Sequence, residues 1–349
     1  MKKNPYSLVF GKEPMQYISR SSQMVEIQEV FSEEVPSQQV YMITGIRGSG
    51  KTVFMSEIAK SLGEEDDWII VELSSSGDLL ADLAAALASE NQYAKIFQNA
   101  SINLSFFGIG LEVKGSVPIT NIQVALSKML TSLKEHGKRV LICVDEVVVS
   151  DAMKSFASVF QILVRQDLPV FLIMTGLFEN INNLQNEDNL TFLYRAPKVA
   201  LRPLNLTTIA ERYADVFKIE REEALAMAKI TLGYSFAFQV LGYFTWKHEG
   251  DYKKALSEYR QYLEEYVYEK IWSEMSDGDR KLAYGVAMSQ TGKAKEIREI
   301  LNLEDNEYSP YRNRLVKRGI LDGSQHGYVK FTLPLFDEYV KTNYEGVLS

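Results

Sequence analysis

Cysteine and histidine are scarce in this sequence, and long apolar runs are missing. Its 349 residues include one cysteine, Cys143, and three histidines. An internal disulfide is therefore excluded, and a zinc site built from these residue types is disfavoured. No segment reaches the ~18 apolar residues of a membrane span, and polar residues interrupt the N-terminus where a signal peptide needs its apolar core. These features predict a cytoplasmic protein of a reducing compartment, with no membrane partner.

An excess of positive charge is also missing. The formal net charge is −8, which disfavours non-specific coating of nucleic acid, so any such binding must come from a local basic face. Hydrophobic residues make up 46% of the chain. That content and the length are enough for two or three domains, each with its own core.

A glycine-rich segment gives the strongest functional signal. The residues GIRGSGKT at positions 45–52 follow an apolar run, 40–44, and precede a helical pattern, 53–62. In such a loop the backbone amides hold the α and β phosphates, the lysine reaches the β and γ phosphates, and the threonine hydroxyl binds magnesium. The alternative is a glycine-rich turn without a ligand. The candidate nucleotide-binding residues are Gly45, Ile46, Arg47, Gly48, Ser49, Gly50, Lys51, Thr52 and Val53.

The first 200 residues alternate between apolar runs and helical patterns. Strands are predicted at 40–44, 68–73, 140–144, 170–175 and 198–201, and helices at 22–34, 53–62, 79–97, 122–136 and 152–165. Continuous apolar strands separated by helices predict an α/β fold with a parallel sheet covered on both faces, the fold class of P-loop NTPases. Alternating apolar residues predict a β-hairpin inserted at about 102–117, with an irregular loop as the alternative.

Two acids end the third predicted strand. Asp145 and Glu146 follow the apolar run 140–144, as in a Walker B motif. Asp145 would orient a magnesium-bound water, and Glu146 would polarise the water that attacks the γ phosphate. Capping of the next helix is the alternative. Because a guanine-reading Asn-Lys-x-Asp segment is missing, we expect ATP or ADP with Mg²⁺ as the ligands.

Two further polar residues occupy places of interest near the ends of the fourth and fifth strands. Thr175 is expected to contact the attacking water or the γ phosphate, with a helix N-cap as the alternative. Arg195 precedes the fifth strand, where an arginine can stabilise transition-state charge on ATP bound to a neighbouring subunit. A plain surface arginine is the alternative for Arg195.

The remainder of the chain is predicted to be mostly helical, with helices at 206–217, 221–232, 236–248 and 253–272. Segments 294–301 and 308–318 then predict a helix-turn-helix, and 319–333 predicts a two-stranded wing turning at 324–327. On the second helix Tyr308, Tyr311 and Leu315 are expected to face inward. Protein docking, or packing for the ATPase core, is the alternative to DNA contact. The candidate residues for double-stranded DNA are Arg312, Asn313, Arg314 and Lys317.

These features together resemble the AAA+ ATPases of the replication-initiator type. The chain looks still more like related prokaryotic ATPases grouped with signal-transduction ATPases, because it carries Asn4-Pro5-Tyr6, Phe10-Gly11 and the segment 233–242. Ser19-Arg20-Ser21 stands where those relatives carry a Gly-Arg-Glu box that touches adenine. Gln239 stands where initiators carry a sensor arginine, and this implies slow hydrolysis by the isolated protein.

The resemblance implies a nucleotide-binding domain at 1–203, a helical lid at 204–272 and a winged-helix domain at 273–349. It implies an ATPase that acts as a switch, with Lys51, Glu146, Thr175 and Arg195 as the catalytic set and Thr52 and Asp145 as the magnesium ligands. Its partners would be DNA, a second copy of the chain, or another protein. The alternatives are a nucleotide-holding scaffold with weak hydrolysis and a P-loop phosphotransferase, the latter disfavoured by the water-activating pair Asp145-Glu146.

Overall fold

The computed structural model describes residues 3–9 and 13–348, and the chain forms two compact units. The sheet unit consists of Arg20–Thr44 and Lys51–Ala200. The helical unit consists of the residues up to Ser19, Gly45–Gly50 and the residues from Leu201 on. Each unit has its own hydrophobic core. The glycine-rich motif is therefore divided, because Gly45–Gly50 belongs to the helical unit and Lys51 begins a helix of the sheet unit.

The sheet unit contains a five-stranded parallel sheet. Its strands are β1 Val40–Thr44, β2 Trp68–Leu73, β3 Arg139–Val144, β4 Val170–Gly176 and β5 Lys198–Ala200. They are ordered β2-β3-β4-β1-β5, and every pairing is parallel. The strands β1 and β4 are buried along their whole length, as continuous apolar runs predict for a covered parallel sheet. The predicted α/β fold class is thereby confirmed.

Helices cover this sheet. They are α1 Ser21–Ser32, α2 Lys51–Leu62, α3 Leu79–Ser89, α4 Asn91–Asn99, α5 Ile122–Glu135, α6 Asp151–Arg165 and α7 Phe178–Gln185. The prediction of a single helix at 79–97 is wrong, because Glu90 has an extended backbone (ψ 118°) and separates α3 from α4. A 3-10 segment, Asp188–Arg195, leads into β5.

The β-hairpin predicted at 102–117 does not form. These residues hold a short 3-10 turn, Ser105–Phe107, and otherwise irregular backbone. The amide of Leu104 donates to the carbonyl of Leu111 (2.8 Å), but the Leu111 amide turns back to Ile109 (2.7 Å), so no ladder develops. Leu104 and Leu111 are buried in the core of the sheet unit. The apolar alternation reflects anchoring of a loop to the core rather than a strand.

The helical unit is built from short helices around an aromatic-rich core. They are α8 Leu206–Phe217, α9 Arg221–Ile230, α10 Ser235–Lys247, α11 Tyr252–Leu263, α12 Glu269–Ser273, α13 Asp277–Met288, α14 Ala294–Leu301, α15 Asp305–Lys317 and α16 Phe336–Leu348. The helix predicted at 253–272 is α11 and α12 joined by a π-helical turn, Glu264–Tyr268. The predicted division at residues 203 and 272 remains a prediction.

The C-terminal part has the element order that the sequence predicts. After α14 and α15, the strands β6 Leu321–Asp322 and β7 Lys330–Phe331 pair antiparallel, and a further bridge joins Lys293 to Tyr328. The second helix begins at Asp305, one turn before the predicted residue 308, and so it carries two acids in its first turn. Tyr308 and Leu315 are buried as predicted, whereas Tyr311 is only half-buried.

Neither a membrane-spanning helix nor a metal-holding cluster of acids, histidines and cysteine occurs among the described residues. None of these residues forms a helix long and apolar enough to cross a membrane. No group of three or more His, Cys, Asp or Glu side chains among them could hold a metal ion. Cys143 is buried in β3, and burial raises the pKa of its thiol to about 12. A thiol held protonated in this way is inert.

Candidate functional site

Four polar residues of the sheet unit meet at the carboxyl ends of its strands. Asp145 and Glu146 follow β3, Thr175 lies near the end of β4, and Thr52 is the second residue of α2. Parallel strands bring their carboxyl ends to one edge of a sheet, which is where α/β proteins bind ligands. The sequence predicted this set, and the structure brings all four together.

The Asp145 carboxylate is the centre of the cluster. Its Oδ2 accepts a hydrogen bond from the Thr52 hydroxyl (2.7 Å), and its Oδ1 accepts one from the Thr175 hydroxyl. The backbone amide of Glu146 donates to the same Oδ1 (3.0 Å) and to Oγ1 of Thr175 (3.2 Å). Three donors around one carboxylate fix its orientation.

This arrangement fits a magnesium ion. Mg²⁺ takes oxygen ligands at ~2.0–2.1 Å in an octahedron, so ligands at adjacent corners lie roughly 2.9 Å apart. The 2.7 Å between Thr52 Oγ1 and Asp145 Oδ2 is close to that spacing. Both atoms are hard oxygen donors of the kind that Mg²⁺ prefers.

Glu146 differs from its neighbour in exposure and backbone. Its side chain is exposed, whereas Asp145 is half-buried. Its φ is 50°, a left-handed value that costs free energy in a residue other than glycine. The two hydrogen bonds of its amide hold it in this conformation. Glu146, the residue expected to act on a water molecule, therefore has a fixed backbone and a side chain exposed to solvent.

The capping alternatives for these residues are wrong. The N-cap of α6 is Ser150, whose hydroxyl accepts from the amide of Met153 (3.1 Å), so the two acids after β3 do not cap that helix. The N-cap of α7 is Leu177, which makes no side-chain cap bond. Thr175 is fully buried inside β4, and its hydroxyl is directed at Asp145.

The lysine of the glycine-rich motif opens a helix of the sheet unit. Lys51 is the first residue of α2 and is 8% exposed, and Thr52 and Val53 follow it in the first turn. The first amides of a helix have no intrahelical partner and are directed outward, which favours an anion at that end.

The rest of the motif contacts the start of α10 within the helical unit. The carbonyls of Arg47, Gly48 and Ser49 accept hydrogen bonds from the Tyr234 hydroxyl (2.6 Å), the Phe236 amide (3.1 Å) and the Ser235 hydroxyl (3.0 Å), respectively. Burial raises the pKa of Tyr234 above its usual range, which keeps it a neutral donor. These three hydrogen bonds fix the carbonyls of residues 47–49 against the start of α10.

Two glycines of this loop have backbone conformations that other residues avoid. Gly48 has φ +70° and Gly50 has φ +91°. A Cβ on Gly48 would also clash with Tyr234 and come within 2.8 Å of Phe236. The glycine at position 48 therefore serves close contact with α10 as well as the turn.

Gln239 holds the N-terminal segment in place. Its Oε1 accepts from the amide of Ser7 (3.3 Å), and its Nε2 donates to the carbonyl of Gln16. Tyr6 is buried next to it, stacked on Phe217. The position that carries a sensor arginine in initiators thus has a structural role here. Phe10 and Gly11, part of the predicted resemblance, lie outside the described residues.

Arg195 ends the 3-10 segment before β5, and it is exposed. An exposed arginine is compatible with contact to a neighbouring subunit, and this role stays a prediction. The neighbouring Lys198 lies 5.6 Å above the ring of Tyr194.

On α15 the four candidate DNA-binding residues fall into two groups. Arg314 binds the buried carboxylate of Asp279 (2.8 Å), and Arg312 donates to the carbonyl of Gly323 (3.3 Å). Asn313 and Lys317 are exposed. Arg314 is thus already paired with an acid whose side chain is 3% exposed, and its contact with DNA stays a prediction.

Sequence reasoning missed the partners of the loop. Tyr234 and Ser235 lie in the segment that suggested the family, but no pattern linked them to residues 47–49. Glu274, which pairs with Arg47 (2.9 Å), was not recognised, because the two are 227 residues apart in the chain. A lone acid between two helices gives no signal of such a contact.

The fold and the cluster around Asp145 define the class: this is a P-loop NTPase fold with an added C-terminal helical region. Residues 17–167 match the family described as an ATPase domain predominantly from Archaea. Residues 265–340 match a domain of unknown function, DUF8462. This match over residues 17–167 agrees with the predicted resemblance to archaeal-type ATPases.

Two solved structures show the same fold. A Walker-type ATPase of Pyrococcus abyssi is 15% identical, with 93% of this chain and 95% of that chain covered and a TM-score of 0.64. The ORC2 protein of Aeropyrum pernix, in ADPNP and ADP complexes, is 13% identical, with 94% and 93% covered and a TM-score of 0.59. No curated protein sequence matches this chain.

Proposed function

We propose that this protein is a magnesium-dependent ATPase that works as a nucleotide-controlled switch. The observation that carries the proposal is the hydrogen-bonded set of Thr52, Asp145, Glu146 and Thr175 at the sheet edge. The match of residues 17–167 to archaeal ATPase domains supports it. The motif at 45–52 would bind the phosphates of ATP or ADP. We also propose that the protein is cytoplasmic.

Each residue of the set has a role in this proposal. Thr52 and Asp145 would hold Mg²⁺, which supplies charge neutralisation at the β and γ phosphates. Lys51 would bind the phosphates, and Thr175 would keep the Asp145 carboxylate in place. Glu146 would accept a proton from the attacking water, since its carboxylate is exposed and its backbone is fixed.

The direct test is Glu146→Gln. The amide is nearly isosteric but cannot act as a base, so ATP binding should persist while turnover falls by roughly 10²–10⁴-fold. Calorimetry with ATP and Mg²⁺ measures binding, and phosphate release measures turnover. Glu135→Gln, at the exposed end of α5, is the matched control. Wild-type turnover in Glu146→Gln would mean that another group activates the water.

The output of the switch would be DNA binding by a C-terminal winged helix. The element order of α14, α15 and the β6–β7 pair, with Asn313 and Lys317 exposed on α15, supports this step. The lid, formed by α8 to α12, would connect the nucleotide to that module.

A nucleotide-holding scaffold with weak hydrolysis is the second candidate. The structural use of Gln239 favours it, because a glutamine bound to the N-terminal segment supplies no charge to a transition state. A single-turnover ATPase assay with and without double-stranded DNA separates the two. Turnover stimulated by DNA supports the switch, whereas stable ATP binding with no turnover in either condition supports the scaffold.

A further inference from the structure

In the helical unit, one carboxylate joins the glycine-rich loop to the end of α15. Glu274 follows α12, and its Oε1 lies 2.9 Å from the Arg47 guanidinium and 3.4 Å from the Lys270 ammonium. Its Oε2 lies 4.0 Å from Arg318, the C-cap residue of α15. Arg318 also donates to the backbone carbonyl of Glu274 (3.4 Å). One acid is thus shared by three cations from three parts of the chain.

The chain of ion pairs continues into the helix that carries the candidate DNA face. The side chain of Arg318 is 9% exposed and lies 3.9 Å from Oδ2 of Asp279. Asp279, in the first turn of α13, is in turn bound by Arg314 of α15 (2.8 Å). Charged groups therefore run without a break from Arg47 through Glu274, Arg318 and Asp279 to Arg314.

The same two segments are also close at a second point. Gly319 has φ +77°, and a Cβ there would lie 3.2 Å from Cγ2 of Ile46. The side chain of the residue before Arg47 therefore lies near the backbone of the residue after Arg318. The loop is therefore linked to the end of α15 by ion pairs through Glu274 and by the closeness of Ile46 to Gly319.

We propose that Glu274 transmits the nucleotide state of the glycine-rich loop to α15. This inference rests on the proposed function, since it requires ATP to bind at residues 45–52. In the structure Arg47 is paired with Glu274. When ATP binds, its phosphates offer the Arg47 guanidinium a second anionic partner. Glu274 then shifts towards Arg318, which weakens the hold of Arg318 on Asp279. The two positions of this carboxylate are the two states that a coupling mechanism needs.

Amide hydrogen exchange of residues 305–318, with and without ATP and Mg²⁺, tests the relay without relying on turnover. In the wild type, ATP should change the exchange rate of this segment by about two- to fivefold, the size expected for a half-exposed ion pair. Glu274→Gln should abolish the change while ATP affinity, measured by calorimetry, stays within about threefold. Glu274→Asp keeps the charge and should retain a response. Glu269→Gln, an exposed acid on α12, is the control and should behave as the wild type.

The outcomes separate this proposal from the one on which it rests. Absence of ATP binding to the wild type overturns both. ATP binding with unchanged exchange at 305–318, or an equal response in Glu274→Gln, overturns the relay alone and leaves the ATPase proposal intact. Loss of the response in Glu274→Gln with retention in Glu269→Gln and Glu274→Asp supports the relay. Equal loss in the Glu269→Gln control would overturn it, because the effect would not be specific to Glu274.

Discussion

The Thr175 hydroxyl offers a sharp test of how the sheet edge works. It is fully buried, donates to Oδ1 of Asp145 and accepts from the amide of Glu146. Thr175→Val replaces this hydroxyl by a methyl group of nearly the same size. A hydrogen bond to a charged group contributes ~1.5–3 kcal/mol, and a buried amide that loses an acceptor adds to the cost. Because that amide keeps its bond to Asp145, we expect a loss of about 1.5–3 kcal/mol in the free energy of unfolding.

The same change should lower turnover more than nucleotide affinity. If the lost orientation of Asp145 and Glu146 costs the transition state a similar 1.5–3 kcal/mol, kcat falls by roughly 10- to 150-fold. Urea unfolding and steady-state phosphate release measure the two effects. Thr175→Ser keeps the hydroxyl and loses one buried methyl group, so it should be destabilised but keep most of its turnover. Equal turnover in Thr175→Val and the wild type would refute the positioning role.

Three further predictions address other parts of the molecule. Lys51→Ala should abolish tight ATP binding in calorimetry, because it removes the lysine that the motif directs at the phosphates; unchanged affinity would contradict the assignment. Arg195→Ala should slow hydrolysis only at protein concentrations where subunits associate, by up to roughly 10³–10⁵-fold for an arginine given in trans; concentration-independent activity of a monomeric wild type would exclude the role. Hydrogen bonds from Thr291, Gln290 and Ser289 lower the pKa of Glu296 to about 2, so its stabilising effect is complete above its unfolded pKa of about 4.5 and is lost as the pH falls towards 2. Glu296→Gln should remove that part of the acid sensitivity in urea unfolding at pH 6 and pH 2.5; an unchanged pH dependence would count against it.

The parts of the fold that the sequence predicts well are those with local causes. The strands β1, β3 and β4 are largely continuous apolar runs, which are typical of parallel strands covered on both faces. The residues at their carboxyl ends then meet because of strand geometry alone, and so Asp145 and Thr175 were placed correctly. The glycines of the loop were recognisable for a similar reason, since their backbone conformations exclude most other residues.

The contacts that the sequence did not predict have non-local causes. The loop around Leu104 and Leu111 has the alternation of a hairpin, yet its apolar residues are anchors to a core formed by distant helices. Arg314 has the position of a DNA contact on its own helix, but its partner Asp279 is 35 residues earlier in the chain. Neither contact has a periodicity that a sequence window can detect.

The ion pair between Arg314 and Asp279 decides which residue of α15 can be changed to test DNA binding. Reversing the charge of Arg314 would remove one of the two cations beside the buried Asp279 carboxylate and place a like charge there, which destabilises the fold. Loss of DNA binding in such a variant would report unfolding as much as recognition. Lys317 is exposed on the same helix, so Lys317→Glu perturbs the proposed face and leaves that pair intact.

With a net charge of −8, we expect any DNA binding by this protein to involve only a few phosphate contacts, each of which contributes a slope of about 0.9 in log affinity against log salt. Lys317→Glu should therefore weaken binding to all duplexes alike and reduce that slope by about 0.9, measured by fluorescence anisotropy between roughly 50 and 200 mM salt. Lys254→Glu, an exposed lysine on α11, controls for net charge and should retain the wild-type slope. If Lys317→Glu binds as the wild type does, α15 does not face the duplex. If the wild type shows no binding at about 50 mM salt, where a few phosphate contacts still register, the C-terminal module is better explained as a protein-docking domain.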